Sequence, residues 1–292
     1  MLGAMGCFVA NDSCMKLAMS DAPPLQVLAM RGTAATLWCL PLVLVFRQGA
    51  HLPKLLDPWI LLRSLGELFA ILCFIFGLRA MPIADITAIY QIAPLIVLMA
   101  GAWIWGDRIG VARWVLIMIG IAGALLVAQP GSSVASPYAV LGFGTALGAA
   151  CRDIFSRKVP GGTPALIVSL STLTTVLGGA LIGTLIFEDQ VMPPPRVLML
   201  MAIAGFILMC GHATVFMAYR LAPARVVAPF AYGVMVWAVL SGLLVFQDVP
   251  NLVAAAGMAV IAAAGLAVVL MEGRTRQGVP ASRKPDSQVI SS

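Results

Sequence analysis

The chain has 292 residues, of which 61% are hydrophobic and only 10% are charged, and its mean hydropathy is +1.00. Because soluble domains carry roughly 25% charged residues, this composition excludes an ordinary water-soluble enzyme. The net charge of +6 does not indicate a nucleic-acid-binding protein, since the basic residues are spread over short connections and form no continuous patch.

Apolar runs separated by helix-breaking residues predict ten transmembrane helices, since about 20 residues at 1.5 Å rise cross the hydrocarbon core. Prolines and glycines mark the connections, where a helix would lose backbone hydrogen bonds. The chain is therefore predicted to be an all-α integral membrane protein that ends in a disordered tail, 272–292, with no apolar face to bury. The predicted spans are 2–19, 25–46, 59–79, 82–105, 112–128, 137–155, 164–187, 197–219, 224–246 and 253–271.

The basic residues predict the orientation of these spans. Connections on one side, together with the tail, carry twelve lysines and arginines, whereas the other side carries only Lys16, Arg79 and Arg196. Cytoplasmic connections retain positive charge, so both termini are predicted to be cytoplasmic.

An internal repeat relates the two halves of the chain. Because a repeat of five spans is odd, the second copy is predicted to insert upside down relative to the first. Inverted repeats are typical of secondary transporters, in which the substrate lies between the copies near the bilayer midplane. The predicted repeats are 1–130 and 137–271. Identical residues recur at an offset of 141 in the pairs Gly3/Gly144, Asp12/Asp153, Pro23/Pro164, Arg79/Arg220, Pro82/Pro223, Gly101/Gly242 and Asp107/Asp248.

Short motifs in both halves resemble the EamA family of the drug/metabolite transporter superfamily. In the first half they are Asn11-Asp12, Arg31-Gly32 and Gly106-Asp107-Arg108. In the second half they are Arg152-Asp153, Gly211-His212, the segment from Ala218 to Pro223, the segment from Ala228 to Tyr232, and the segment from Phe246 to Pro250.

The resemblance implies a ten-helix carrier of the bacterial-type inner membrane with two EamA modules, which moves small metabolites without ATP hydrolysis. Relatives of this kind include exporters of amino acids and drugs, and importers of riboflavin and S-adenosylmethionine. The motifs are specific to the family and carry little information on a substrate.

Charged side chains within the spans need a partner, a hydrated cavity or a nearby interface. Glu67 lies four residues after Arg63, so it either forms an intrahelical pair near the interface or lines the pathway. Arg31 has no local counter-charge and either snorkels outward or faces a cavity. Arg152 adjoins Asp153, and as a cavity residue it would attract an anionic or carbonyl-bearing group.

Candidate gating residues follow from the repeat. We predict that Asp12 pairs with Arg79 and Asp153 with Arg220, as matched outer and inner latches that form in turn. The alternative is that these charges only anchor helix ends. His212 either carries a proton, since imidazole titrates near neutral pH, or serves as a hydrogen-bonded packing residue.

Aromatic and amide side chains in the fourth and ninth spans predict the rest of a substrate site. Tyr90 and Gln91 in the first half and Tyr232 in the second lie beside helix-distorting prolines, and Trp237 follows in the same span as Tyr232. Such side chains suit a flat, moderately polar solute. They also fit lipid interfaces and helix packing, and both alternatives remain open. Together with Glu67 and Arg152, these four residues form the predicted substrate site.

Three functions are therefore weighed. The leading one is uptake of a flat vitamin such as riboflavin, or of a nucleoside-like solute, by alternating access. The alternatives are export of amino acids or drugs and, from another class, an intramembrane enzyme, although no nucleophile-base set or HExxH motif appears. The six cysteines lack metal-ligand spacing, so no metal or cofactor is predicted. The predicted partners are the solute and lipid, and a homodimer is left open.

Overall fold

A computed structural model describes residues 1–106, 110–130 and 136–275 of the chain, and these residues contain helices and connections but no strand. Asp107 and residues 276–292 of the predicted disordered tail, 272–292, lie outside the described residues, whereas residues 272–275 of that tail continue the last helix. The α-helices are α1 (Leu2–Ala18), α2 (Pro24–Val45), α3 (Pro58–Ala80), α4 (Ile83–Tyr90), α5 (Ala93–Trp105), α6 (Val111–Ala128), α7 (Ala139–Ser156), α8 (Ala165–Phe187), α9 (Pro195–Leu221), α10 (Ala224–Val227), α11 (Gly233–Ser241) and α12 (Leu252–Thr275).

Eight helical segments within these ranges are long and apolar enough to cross a membrane. They correspond to eight of the ten predicted spans. The other two coincide with α1, which has 17 residues, and α7, which has 18. These helices carry charged side chains inside their apolar sequences, including Asp12, Arg152 and Asp153. The multi-helix membrane fold is confirmed, and the count of ten stays a prediction.

Helix ends are set by proline, by capping carboxylates and by left-handed residues. The Asp57 carboxylate accepts the amides of Trp59 and Ile60 at the start of α3, which satisfies donors that have no partner within the helix. The Glu188 carboxylate, from a distant connection, accepts the amides of Leu25 and Gln26 at the start of α2 at 2.9 and 3.0 Å. These caps hold the connections against the helix ends.

The two halves have matching helix boundaries at the offset of 141 residues. Helices α2, α4 and α6 begin at residues 24, 83 and 111, and α8, α10 and α12 begin at 165, 224 and 252. The packing also matches: α3 packs against α7 as α1 packs against α9, and α2 packs against α9 as α8 packs against α3. The remaining large interfaces are α2 with α8 and α6 with α12, and each joins a helix to its own equivalent in the other half. Each interface is thus retained when the halves are exchanged.

The fourth membrane segment of each half is interrupted at an equivalent position. A turn at Gln91 separates α4 from α5, whose second residue is Pro94. In the second half a 3₁₀ segment, Ala228–Tyr232, contains Pro229 and leads into α11, which is followed by a π-helical segment, Gly242–Phe246. Proline removes a backbone donor and clashes with the preceding turn, so both interruptions agree with the predicted helix distortion.

Contacts between connections fall into two groups that match the two predicted sides of the membrane. On the predicted outer side, Gln129 donates to Asn251 at 2.8 Å and Arg196 lies 3.5 Å from Asp21. On the predicted inner side, Lys54 donates to the carbonyl of Gly162 at 3.1 Å. Each of these contacts therefore joins two connections that are predicted to lie on the same side of the membrane.

Candidate functional site

A cavity of about 520 Å³ lies between the two halves, lined by side chains from both. Most of its wall comes from repeat-equivalent positions, so the cavity lies on the pseudo-symmetry of the molecule. Nine pairs of lining residues are related by the offset of 141, namely Phe8/Ala149, Asn11/Arg152, Asp12/Asp153, Glu67/Leu208, Ile71/His212, Thr87/Ala228, Tyr90/Ala231, Gln91/Tyr232 and Ala93/Val234.

A charged triad forms one part of this wall. The Arg152 guanidinium donates from Nη1 to Glu67 Oε2 and from Nε to Asp153 Oδ1, each at 2.8 Å. The Glu67 and Arg152 side chains are 28% and 21% exposed, so the pair is partly removed from solvent. Charge-assisted hydrogen bonds of this kind are stronger than neutral ones, and they fix Arg152 across the interface between α3 and α7.

Of the two alternatives for Glu67, the structure has the one in which this side chain lines the cavity, and Arg63 forms contacts between helices instead of a pair with Glu67. Arg63 donates from Nε to Ser156 Oγ at 2.9 Å and from Nη1 to Thr172 Oγ1. Residue 66 explains the difference, because it is glycine: a Cβ there would lie 2.9 Å from the Arg152 backbone nitrogen. Helix α7 therefore approaches α3 closely, and Arg152 reaches Glu67 in place of Arg63.

The first helix contributes a second polar group to the cavity. Asn11 Nδ2 donates to Asp12 Oδ1 at 2.8 Å, and Asp12 experiences the positive charge of Arg31 on α2. Arg31 is 6% exposed and lines the cavity. Of the two alternatives left open for Arg31, the structure therefore has the cavity-facing one.

Five of the six predicted substrate-binding residues line the cavity. These are Glu67, Tyr90, Gln91, Arg152 and Tyr232. Tyr90 also interacts with the Arg152 guanidinium, which connects an aromatic side chain to the triad.

Trp237 was predicted to line the substrate site but is not among the lining residues. Its Nε1 donates to the Leu2 carbonyl at 3.0 Å, and its ring packs where residue 6 is glycine. Trp237 therefore joins α11 to the start of α1. A position five residues beyond Tyr232 lies on a different part of the helix surface, which accounts for the difference.

Neither predicted latch pair is present in the described part of the chain. Asp153 is bound to Arg152, and Asp12 to Asn11. Arg79 and Arg220 are both exposed near helix ends, and Arg220 lies 5.8 Å from the ring centre of Phe216. Both aspartates instead line the cavity.

His212 lies in the cavity wall and makes an edge-to-face contact with Phe8, with ring centres 5.2 Å apart. It is near enough to Glu67, Arg31 and Arg152 to sense their charges. The role of proton carrier that was predicted for His212 stays a prediction. Among the residues that the structure describes, no cluster of three or more potential metal ligands occurs.

A polar contact set at the predicted outer end was not foreseen from the sequence. Lys16 Nζ donates to the Met81 carbonyl at 2.9 Å and lies 3.6 Å from Asp248, while Ser13 and Ser241 share a hydrogen bond of 2.6 Å. We call these four residues with Met81 the outer contact set.

Asn11 and Thr87 also line the cavity, and the sequence did not predict them as site residues. The repeat offset was the available signal, since it relates Asn11 to the predicted Arg152.

A multi-helix membrane protein with a charged cavity between two matching halves belongs to the class of small-molecule transporters. The comparisons with known proteins agree. The predicted resemblance to the EamA family is confirmed: the model of the EamA-like transporter family matches residues 1–129, and relatives aligned over 80% or more of their own length are named as transporters.

Three of these relatives differ in their named substrates. A pseudopaline exporter of Pseudomonas aeruginosa is 25% identical over 261 residues, which cover 87% of this chain and 89% of the relative. A riboflavin transporter of Rhizobium johnstonii is 27% identical, with 80% of each chain covered. An S-adenosylmethionine uptake transporter of Rickettsia prowazekii is 22% identical, with 86% and 84% covered. The relatives point to a transporter and not to an enzyme.

A solved crystal structure has the same fold over nearly its whole length. The TM-score is 0.54 and the sequence identity is 19%, and the alignment covers 95% of this chain and 99% of the other. At this identity the likeness concerns the fold alone.

Proposed function

We propose that the protein is a secondary transporter that moves a small metabolite across the inner membrane by alternating access between two inverted repeats of five helices, 1–130 and 137–271. The observation that carries the proposal is the cavity wall, because nine pairs of its residues are repeat equivalents. A site on the pseudo-symmetry of two oppositely inserted repeats is reached from either side when the repeats exchange conformations.

The structure corresponds, in this proposal, to an inward-facing state with both termini in the cytoplasm. The outer contact set joins α1 to the α3–α4 turn and to α11, which closes the predicted outer end. The cavity wall extends to Met5, Asp153 and Tyr219, and each of these lies within a turn or so of a predicted cytoplasmic helix end. Opening the outer end therefore requires separation of α1 from α11.

Two features of the wall bear on the substrate. Phe8, Phe74, Tyr90 and Tyr232 offer ring faces, which supports a solute with a flat ring such as riboflavin or a nucleoside-like compound. Asp12 and Arg31 place opposite charges in the same cavity, which supports an amino acid as the second candidate. The carrier mechanism is the same in both cases.

Counterflow in proteoliposomes tests the carrier proposal. Vesicles are loaded with unlabelled riboflavin, phenylalanine or S-adenosylmethionine, and entry of the same labelled solute is followed. A carrier accelerates entry when the solute is present on both sides and returns it chemically unchanged. Arg152→Ala and Tyr232→Ala should abolish this exchange, while Arg196→Gln, an exposed substitution outside the cavity, serves as the matched control.

The outcomes separate the three classes of function. Entry of labelled solute without acceleration by internal solute would indicate a channel, and conversion of the solute would indicate an enzyme. Absence of exchange for every solute tested, in vesicles whose protein is shown to be folded, would contradict the assignment as a carrier of these compounds.

A further inference from the structure

Three buried polar atoms in the cavity wall have no hydrogen-bond partner among the described residues. They are Asn11 Oδ1, Arg31 Nε and Thr87 Oγ1, and their residues are 2%, 6% and 3% exposed. All three residues line the same cavity and belong to the first half. A buried polar atom without a partner is strongly disfavoured, so a cavity that gathers three of them is suited to a ligand that supplies the partners.

The charges of the triad are already paired. Arg152 binds both Glu67 and Asp153, so its positive charge is compensated within the protein. Arg31, in contrast, forms no ion pair within the described residues, although it experiences the negative charges of Asp12 and Glu67. The positive charge of the cavity wall without an ion pair among the described residues is therefore Arg31, and Asp12 contributes a carboxylate to the same wall.

We propose that Arg31 and Asp12 form the recognition site for a zwitterionic α-amino-acid group. Arg31 and the Thr87 hydroxyl donate hydrogen bonds to the carboxylate of the solute. The Asp12 carboxylate and Asn11 Oδ1 accept hydrogen bonds from its ammonium group. The proposal rests on the proposed function and specifies the substrate class of that same cavity. The ring faces of Phe8, Phe74, Tyr90 and Tyr232 accommodate the side chain of the solute.

Charge balance favours a zwitterion over an ion of one sign. An anion would satisfy Arg31 but would approach Asp12 as a like charge, and a cation would satisfy Asp12 but approach Arg31. In a site of low dielectric constant such like-charge approach is strongly unfavourable. A neutral flat solute would leave Arg31 without an ion-pair partner. Only a group with both charges pairs each of them and leaves the net charge unchanged.

Ligand-induced thermal stabilisation of the full-length protein in detergent tests this assignment with matched compounds. L-Phenylalanine is compared with phenethylamine, which lacks the carboxylate, and with 3-phenylpropionate, which lacks the ammonium group. L-Methionine is compared with its amine and carboxylic acid counterparts, and S-adenosylmethionine and riboflavin are added alone. We expect at least one of the three zwitterions to raise the melting temperature, with half-saturation at least about tenfold lower than for either truncated analogue.

Two substitutions assign the two ends of the solute. Arg31→Gln should weaken binding of the stabilising zwitterion by at least about tenfold and remove its advantage over the amine analogue. Asp12→Asn should remove its advantage over the carboxylic acid analogue. Arg196→Gln should leave the binding unchanged. An unaltered elution profile and helical circular dichroism spectrum confirm that each variant is folded.

The results also separate this inference from the proposed function. If riboflavin binds and undergoes counterflow while none of the three zwitterions stabilises the protein, the zwitterion site is wrong and the carrier stands. Equal stabilisation by a zwitterion and its truncated analogues overturns the site as well. Zwitterion binding that requires Arg31, without any counterflow, supports the site and contradicts the carrier.

Discussion

At the residue scale, Arg152 connects the two halves of the molecule through charge. It is on α7 and binds Glu67 on α3 while also binding its own neighbour Asp153. Removing one partner of such a pair leaves the other charge without compensation in a region of low dielectric constant. Loss of any single member of the triad should therefore destabilise the interface between α3 and α7.

A double-mutant cycle measures this coupling. We expect Glu67→Gln and Arg152→Gln each to lower the thermal stability of the purified protein, and the double variant to lose less than the sum. The difference should be on the order of 1–3 kcal/mol, as for contacting charged residues. Arg63→Gln combined with Glu67→Gln is the comparison, and it should be more nearly additive because Arg63 binds Ser156 and Thr172. Full additivity of the first pair would contradict the triad.

The position of Tyr232 depends on a glycine in the last helix. A Cβ at residue 265 would overlap the Tyr232 hydroxyl and ring, so Gly265→Ala should displace this side chain from the cavity wall. Solute binding should weaken about tenfold or more, as judged by thermal stabilisation. Gly178→Ala is the control, because a Cβ there meets nothing within 4 Å, and alanine is favoured over glycine in a helix. Equal binding by both variants would exclude a role for Tyr232 packing.

The sequence predicted which residues face the cavity better than which of them pair. Glu67, Tyr90, Gln91, Arg152 and Tyr232 were found because a charge, amide or phenol within an apolar span needs a polar environment. The sequence did not identify Arg152 as the partner of Glu67, since spacing along one helix says nothing about how closely a neighbouring helix approaches. That approach depends on Gly66 and the packing of α7, which are properties of the folded molecule.

At the scale of elements, helix α1 is the segment that closes the predicted outer end. Its Ser13 contacts Ser241 of α11, and its Lys16 contacts the turn after α3 and the connection after the π-helical segment. The other end of α1 contacts Trp237 through the Leu2 carbonyl. The proposed alternating access would require these contacts of Ser13 and Lys16 to break.

A crosslink at this point should lock the transporter. In a variant that lacks the six native cysteines, Ser13→Cys with Ser241→Cys places two thiols where the hydroxyl oxygens now lie 2.6 Å apart. Oxidation should form a disulfide and reduce counterflow at least about tenfold, and reduction should restore it, since a disulfide tolerates only a narrow range of Cβ separations. Each single cysteine variant serves as a control. Full counterflow with the disulfide formed would show that α1 and α11 do not separate.

Element boundaries were largely predictable, while local helix geometry was not. Proline and glycine marked nearly every connection, and Pro94 and Pro229 located both interruptions of the fourth segments. The 3₁₀ segment before α11, which packs against α1 and α12, and the π-helical segment after it gave no separate signal in the sequence. Charge distribution located the ends of α1 but did not reveal that Lys16 would bind Met81 and Asp248.

At the scale of the whole molecule, the two halves are similar in backbone and different in chemistry. Three helix starts in each half and the large interfaces match at the offset of 141, yet the equivalent of Asn11 is Arg152 and the equivalent of Glu67 is Leu208. In the proposed mechanism, similar backbones would permit the halves to exchange conformations, whereas different side chains would restrict the solute to one orientation. The inverted insertion of the two halves is the part of this picture that depends on membrane topology.

Cysteine labelling tests that topology with one position in each group of connections. Gln190 and Gly162 are both exposed, and a Cβ at residue 162 meets nothing within 4 Å, so cysteine is tolerated there. In the background without native cysteines, a membrane-impermeant maleimide should label Gln190→Cys in intact cells and Gly162→Cys only after permeabilisation. The unsubstituted background controls for stray labelling.

The inversion of the two halves is tested by a third position, Ser20. Five helices separate residue 20 from residue 162 if every predicted span crosses the membrane, so Ser20→Cys should label under the same conditions as Gln190→Cys. Labelling of Ser20→Cys together with Gly162→Cys would mean that the halves share one orientation, and the alternating-access scheme would then lose its symmetry.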